Sequence, residues 1–147
     1  FIGEHSLSTS AMPIAAGRPD AEDLRKAKEF GKMIREKIKA MQPSDETLPL
    51  QVPGGFPYRE PPPLPKVSPV TQETACTKCK KCASVCPTGA ITIEDMVVTD
   101  QSVCIRCCAC VKNCPTGART MKDSRILHKA EQLFMNCRKR KEPETYL

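Results

Sequence analysis

The sequence predicts a small α+β protein organised around a cysteine-rich segment. Three observations lead to this prediction: a cysteine motif that occurs twice at an offset of 28 residues, an amphipathic helical pattern before it, and a proline-rich stretch between the two. Aromatic residues make up 4% of the 147 residues and fourteen residues are proline. A large conventional hydrophobic core is therefore not expected, and something else must organise part of the chain.

Residues 1–41 contain a predicted helix that begins near Asp20. Asp20 is suited to the N-cap position and Asp23 to the first turn, and Pro43 ends the pattern. Apolar residues recur along the helix every three or four positions: Leu24, Ala27, Phe30, Ile34, Ile38 and Met41. We expect this stripe to face a core, and a helix that docks on a membrane surface or a partner is the alternative.

Residues 42–75 are predicted to form a Pro-rich linker. They hold nine prolines, including a dense run at residues 61–65. The missing N–H groups and the fixed φ of proline exclude a helix or a central strand there. A semi-rigid polyproline spacer is the expectation, and a ligand for a proline-binding recognition domain is the alternative.

Residues 76–123 contain the internal duplication. The first copy is Cys76-Thr-Lys-Cys79-Lys-Lys-Cys82-Ala-Ser-Val-Cys86-Pro-Thr-Gly-Ala, and the second is Cys104-Ile-Arg-Cys107-Cys-Ala-Cys110-Val-Lys-Asn-Cys114-Pro-Thr-Gly-Ala. Between the copies, residues 91–93 and 97–99 alternate as a β-hairpin does. Short helical turns are expected before Pro87 and Pro115, with the two halves related by a pseudo-twofold axis.

The spacing of these cysteines points to a metal cluster. Cysteines at i, i+3 and i+6, followed by a fourth four residues later, let one loop surround a compact inorganic core. Zinc is the alternative, but its tetrahedral sites usually pair Cys-x2-Cys with a distant second pair or with histidines. Because cysteine fills every ligand position, one-electron transfer is favoured over substrate chemistry at the cluster, and no catalytic residue is assigned.

The two cysteine runs resemble those of dicluster bacterial ferredoxins, over roughly a third of the chain. The resemblance implies a small ferredoxin-like α+β fold with two low-potential 4Fe-4S clusters, in which the fourth cysteine of each run binds the other cluster. Two ligand sets follow from it: Cys76, Cys79, Cys82 and Cys114 for cluster 1, and Cys104, Cys107, Cys110 and Cys86 for cluster 2. Folding is then expected to depend on cluster binding.

A wider resemblance is to flavodoxin–ferredoxin fusion proteins of anaerobes. It is carried by residues 1–6, 13–20 and 136–144, together with Asp23 and Leu24. It implies that residues 1–41 are the end of a flavodoxin-like domain, including its last helix, which would account for a chain that starts at phenylalanine. The phosphate loop and parallel strands that bind flavin in such proteins are absent from this sequence. FMN is therefore implied only for a longer parent protein.

Residues 124–147 are predicted to form a C-terminal helix and a basic tail. The helix is expected to begin at Asp123 or Ser124 and to bury Cys137 as a small hydrophobic residue. Its last turn would hold the cations Arg138 to Lys141. We interpret these cations as a solvated helix end, with docking of an acidic redox partner or of nucleic acid as alternatives. Cys108, outside the repeated pattern, is expected to be a spectator, with ligand swapping or a redox-active thiol as alternatives.

The net charge and the hydropathy of the sequence bear on nucleic-acid binding and membrane insertion. The formal net charge of +6 is largely offset by two clusters of about −2 each, so overall basicity does not argue for nucleic acid. No apolar run approaches the ~18 residues of a membrane span, and residues 1–10 lack the basic and then apolar layout of a secretory signal. We expect a cytoplasmic electron carrier between redox proteins that is not an enzyme by itself. The alternatives are the relay part of a flavin-linked oxidoreductase and a structural or sensory iron–sulfur protein.

Overall fold

The computed structural model describes residues 2–42, 50–61, 63 and 65–147. The elements follow in this order: α1 (Ala21–Ala40), β1 (Val70–Thr71), a 3-10 turn (Glu73–Ala75), α2 (Lys81–Ser84), β2 (Ile91–Ile93), β3 (Val97–Thr99), α3 (Ala109–Lys112), β4 (Arg119–Thr120) and α4 (Ser124–Asn136). This mixture of short helices and two-stranded sheets fits the α+β class. Within the described ranges, no helix is both long and apolar enough to cross a membrane.

Helix α1 begins where the sequence predicts, because two reciprocal hydrogen bonds between Asp20 and Asp23 cap its N-terminus. The Asp23 N–H donates to the Asp20 carboxylate at 3.0 Å, and the Asp20 N–H donates to the Asp23 carboxylate at 2.9 Å. Together these bonds satisfy two donors that the first helical turn leaves open. The helix ends at Ala40, and Met41 is already extended. The predicted start is confirmed.

The apolar stripe of α1 is not buried, so the expectation of a core-facing helix is wrong for the described structure. Leu24 is 60% exposed and Ile38 is 63% exposed. The reason is that charged contacts at the N-terminal part of the helix hold it to the C-terminal tail. Lys26 donates to Glu142 at 2.5 Å, and the Arg140 guanidinium donates to the Asp20 carboxylate at 2.6 Å. The rest of the stripe is half-buried or exposed: Ala27, Phe30, Ile34 and Met41.

The C-terminal end of the predicted linker is part of the cysteine-rich unit, which differs from the prediction. Strand β1 pairs antiparallel with β4, with Val70 opposite Thr120. Val67 is buried, and Arg106 donates to the Pro65 carbonyl at 2.9 Å. The last proline of the predicted linker is Pro69, so Val70 and Thr71 keep their N–H groups and can pair at a sheet edge. Part of the linker prediction, at residues 43–49, 62 and 64, lies outside the described residues.

The predicted β-hairpin and helical turns are confirmed. Strands β2 and β3 pair antiparallel, with Ile91 opposite Thr99 and Ile93 opposite Val97. The alternation of side chains puts one face of the hairpin inward. Its buried residues pack with one cysteine from each short helix, α2 and α3, to form the small core: Cys82, Ile91, Val97 and Cys110.

Helix α4 begins at Ser124 as predicted but ends earlier than expected. The Asp123 carboxylate accepts from the N–H of Arg125 at 3.0 Å and caps the helix. The helix ends at Asn136, so Cys137 is a half-buried C-cap residue and the cations follow the helix instead of occupying its last turn. The reason is tertiary: Arg140 leaves the helical path to pair with acidic groups near the start of α1.

Candidate metal centre

The two cysteine loops share an unusual backbone conformation. Lys78 and Lys80 have φ of 52° and 61°, and Arg106 and Cys108, each 28 residues later, have φ of 57° and 56°. This left-handed region is costly for residues other than glycine. When it alternates with right-handed residues, successive backbone N–H groups form a concavity that binds anions, as at many iron–sulfur sites. Both loops therefore share left-handed residues of the kind found in anion-binding backbone concavities.

The fourth cysteine of the first run accepts hydrogen bonds from the turn that follows it. The Ala90 N–H donates to the Cys86 sulfur at 3.3 Å, and the Thr88 hydroxyl lies 3.7 Å from the same sulfur. The turn closes because Gly89 adopts a φ of 65°, which glycine tolerates without strain. Burial raises the pKa of Cys86, but the hydrogen bonds outweigh it and hold this pKa below its usual value. The turn thus favours the thiolate, which is the form that binds metal.

The fourth cysteine of the second run has the same environment. The Thr116 hydroxyl lies 3.7 Å from the Cys114 sulfur, and Gly117 has a φ of 67°. Burial again raises the pKa of Cys114, and hydrogen bonds led by the backbone N–H of Arg119 lower it below its usual value. The Cys-Pro-Thr-Gly-Ala sequence therefore forms the same sulfur-stabilising turn twice.

The first cavity brings together cysteines from both runs. Its volume is about 320 Å³, counting the part open to solvent, and it is lined by the first three cysteines of the first run and the last of the second: Cys76, Cys79, Cys82 and Cys114. Four cations also line it: Lys78, Lys80, Lys81 and Arg119. Cys79 is exposed, so this cavity reaches the surface.

The second cavity has the reciprocal composition. Its volume is about 300 Å³ on the same measure, and its lining combines three cysteines of the second run with the last of the first: Cys104, Cys107, Cys110 and Cys86. The other lining residues carry no charge: Pro69, Thr88, Ile91, Thr99, Ile105 and Cys108. All eight cysteines of the predicted ligand sets thus line one of two cavities, and each cavity takes three from one run and one from the other.

The arrangement of these thiols suits a cluster better than a single ion. Among residues 2–42, 50–61, 63 and 65–147, no three His, Cys, Asp or Glu side chains converge closely enough to hold one metal ion. A single zinc needs its sulfurs about 2.3 Å from one point. In a 4Fe-4S cluster each cysteine binds a different iron, so the sulfurs surround a volume. Four thiols around each cavity, beside anion-binding loops, fit such a group.

The two cysteines outside the repeated pattern lie in different environments. Cys108 is 3% exposed and lines the second cavity, and its thiol lies 3.6 Å from the Arg106 carbonyl, to which it donates. Burial, reinforced by neighbouring thiols, raises the pKa of Cys108 to about 11. A buried, protonated thiol favours the spectator interpretation over a redox-active one. Cys137 lines neither cysteine cavity and lies in a cleft between the N-terminal loop and the basic tail.

Sequence reasoning missed Arg119, which is 3% exposed and lines the first cavity. Its guanidinium donates to the hydroxyls of Thr71 at 2.7 Å and Thr99 at 2.8 Å, and it lies 3.7 Å from the Cys110 sulfur. The signal that could have identified it is a break in the repeat, because the equivalent position in the first copy is Ile91.

One known family resembles the segment that contains this centre. A family model described as a 4Fe-4S dicluster domain matches residues 75–118, which are 44 of the 147 residues. No curated protein and no solved structure matches the chain. The matched segment contains both cysteine runs and supports a ferredoxin-type domain that binds 4Fe-4S clusters. A domain of this kind indicates electron transfer. The resemblance to flavodoxin fusions rests on residues outside the matched segment.

Proposed function

We propose that the chain is an electron-transfer protein with one 4Fe-4S cluster in each cysteine cavity, passing single electrons between redox protein partners. The observation that carries the proposal is the reciprocal lining of the cavities. The first cluster takes Cys76, Cys79, Cys82 and Cys114, and the second takes Cys104, Cys107, Cys110 and Cys86. When bound, each cluster accepts and gives up one electron at a time.

The residues around each cavity hold the cluster and stabilise its charge. The Ala90 N–H bonded to the Cys86 sulfur and the left-handed loop residues favour negative charge there. Hydrogen bonds to sulfur and solvent exposure are the main levers by which a protein sets a cluster's potential. All eight ligand positions are thiols, which leaves no iron free for a substrate. The chain therefore binds each cluster, shields it from solvent and sets its reduction potential.

The first cavity is the proposed point of contact with a redox partner. Cys79 is exposed there, and three exposed lysines surround it: Lys78, Lys80 and Lys81. Electrons tunnel efficiently only over short distances, so a partner must approach an exposed edge. Lysines at that edge favour a partner with an acidic surface, and they speed the encounter most at low ionic strength.

The exposed stripe of α1 favours a second candidate, in which this chain is the relay part of a flavin-linked oxidoreductase. Leu24 and Ile38 present apolar surface on an otherwise charged helix. In the flavodoxin–ferredoxin proteins that the sequence resembles, such a stripe would cover a flavodoxin-like sheet. Tightly bound FMN in the protein isolated from its natural source would favour this candidate, and its absence there would count against it.

The test is anaerobic purification followed by iron, zinc and acid-labile sulfide analysis, with electron paramagnetic resonance of the reduced protein. We expect about eight irons and about eight sulfides per chain. Zinc without sulfide would refute the proposal. Two neighbouring cysteines provide a matched pair of variants: Cys107→Ala should lose about half of the iron, whereas Cys108→Ala should keep it all.

A further inference from the structure

Arg119 is a buried cation whose charge the surrounding chain does not neutralise. It is 3% exposed, and in the described part of the chain its guanidinium donates hydrogen bonds to two threonine hydroxyls and one cysteine sulfur. Its Nε–H is buried and has no partner among the described residues. Taking a guanidinium out of water is costly unless a negative charge lies close by. The fold therefore holds a positive charge ready for an anion.

Arg119 lies next to residues of both cavities. The residue lines the first cavity, while its guanidinium lies 3.7 Å from the sulfur of Cys110, which lines the second. Thr71 on β1 and Thr99 on β3 hold the guanidinium from two sides. The equivalent residue of the first repeat, Ile91, carries no charge. The duplication therefore supplies no second cation at this position, and Arg119 lies beside both proposed sites.

We propose that Arg119 is the charge-compensating residue shared by the two cavities, and that it raises the reduction potential of both clusters. This inference rests on the proposed function. A 4Fe-4S cluster with four thiolates carries about −2 when oxidised and about −3 when reduced. Arg119 interacts more favourably with the more negative state, so it favours acceptance of an electron from an external one-electron reductant such as dithionite.

Burial distinguishes Arg119 from the other cations of the first cavity. Lys78, Lys80 and Lys81 are exposed, so salt screens their effect on a cluster. Arg119 is 3% exposed, and charges at such buried positions interact more strongly and are screened less. Its influence on the potential should therefore persist at high ionic strength, whereas an influence of the lysines should fade.

The experiment is a potentiometric titration of the full chain, loaded with iron and sulfide and followed by electron paramagnetic resonance. Arg119→Met should shift the ratio of reduced to oxidised cluster about tenfold towards the oxidised form at a fixed potential, for both couples, which is about 59 mV for one electron. Arg119→Lys should shift it less, because it keeps the charge. Lys122→Met removes a nearby exposed cation and serves as control, with a shift below about threefold expected.

The outcomes separate this inference from the proposed function. Wild-type protein without sulfide refutes the proposed function. Full iron and sulfide in Arg119→Met, with potentials no lower than those of Lys122→Met, overturns the role of Arg119 alone, and a shift confined to one couple overturns its shared role. If Arg119→Met fails to take up iron, Arg119→Gln, which keeps N–H donors without the charge, is titrated under the same criteria. A shift that disappears at about 0.5 M salt also overturns the inference.

Discussion

Cys114 belongs to the second cysteine run but lines the first cavity, and paired Cys→Ser variants test whether it binds a cluster there. Serine keeps a side chain of similar size, so the loop is disturbed little. We expect Cys114→Ser to lose one cluster and to retain about four of about eight irons per chain. The single variant alone does not show which cluster is lost, so the informative step is a second substitution.

The second substitution distinguishes crossed from uncrossed ligand sets. In the crossed arrangement, Cys114 and Cys76 bind the same cluster, so Cys114→Ser with Cys76→Ser should still hold about four irons. Cys114 and Cys104 bind different clusters, so Cys114→Ser with Cys104→Ser should hold almost none. If each run instead completes its own site, the two double variants exchange their iron contents.

The assay is iron and sulfide analysis of anaerobically reconstituted protein, with native mass spectrometry to count intact clusters. Native mass spectrometry separates a population with one cluster in every molecule from a mixture of empty and full molecules. About four irons in the Cys114/Cys104 double variant, with almost none in the Cys114/Cys76 variant, would refute the crossed assignment and the geometric reasoning from the cavities.

Three further predictions concern stability and reactivity. Gly117→Ala should destabilise the holo-protein by about 1–2 kcal/mol, because Gly117 has a φ of 67°. The control Gly31→Ala, in the exposed middle of α1, should stabilise it by about 0.5–1 kcal/mol. Anaerobic unfolding measures both changes in stability, and changes of the same sign would contradict the backbone argument. Iodoacetamide at pH 8 should label half-buried Cys137 in the holo-protein and leave buried Cys108 unmodified, as peptide mass spectrometry would show; preferential labelling of Cys108 would contradict its burial. Oxidative removal of iron should unfold the cysteine-rich unit, because two of the four residues in its small core are proposed ligands; unchanged circular dichroism after iron removal would show that the core is stable without clusters.

Much of the local structure could be predicted from the sequence because it depends on near neighbours. The Asp20 and Asp123 caps bond to N–H groups within three residues, so their helices begin where expected. The β2–β3 hairpin follows from alternation across a three-residue turn. The C-terminus of helix α4 is less predictable, because the residues that follow it make distant contacts, such as that of Arg140 with Asp20, 120 positions away in the chain.

The cysteine pattern by itself indicated the proposed donor set, its repetition and the kind of metal group to expect, because ligand spacing within one loop is a local property. The tertiary structure places in each cavity the crossed group of cysteines that the resemblance implied, and it alone decided that Val70 and Thr71 form a strand against β4. It also decided that Arg119 is buried between the cavities while the stripe of α1 stays exposed. The physical reason is that burial and ion pairing depend on segments far apart in sequence, and no periodicity within one segment records which distant surface it will meet.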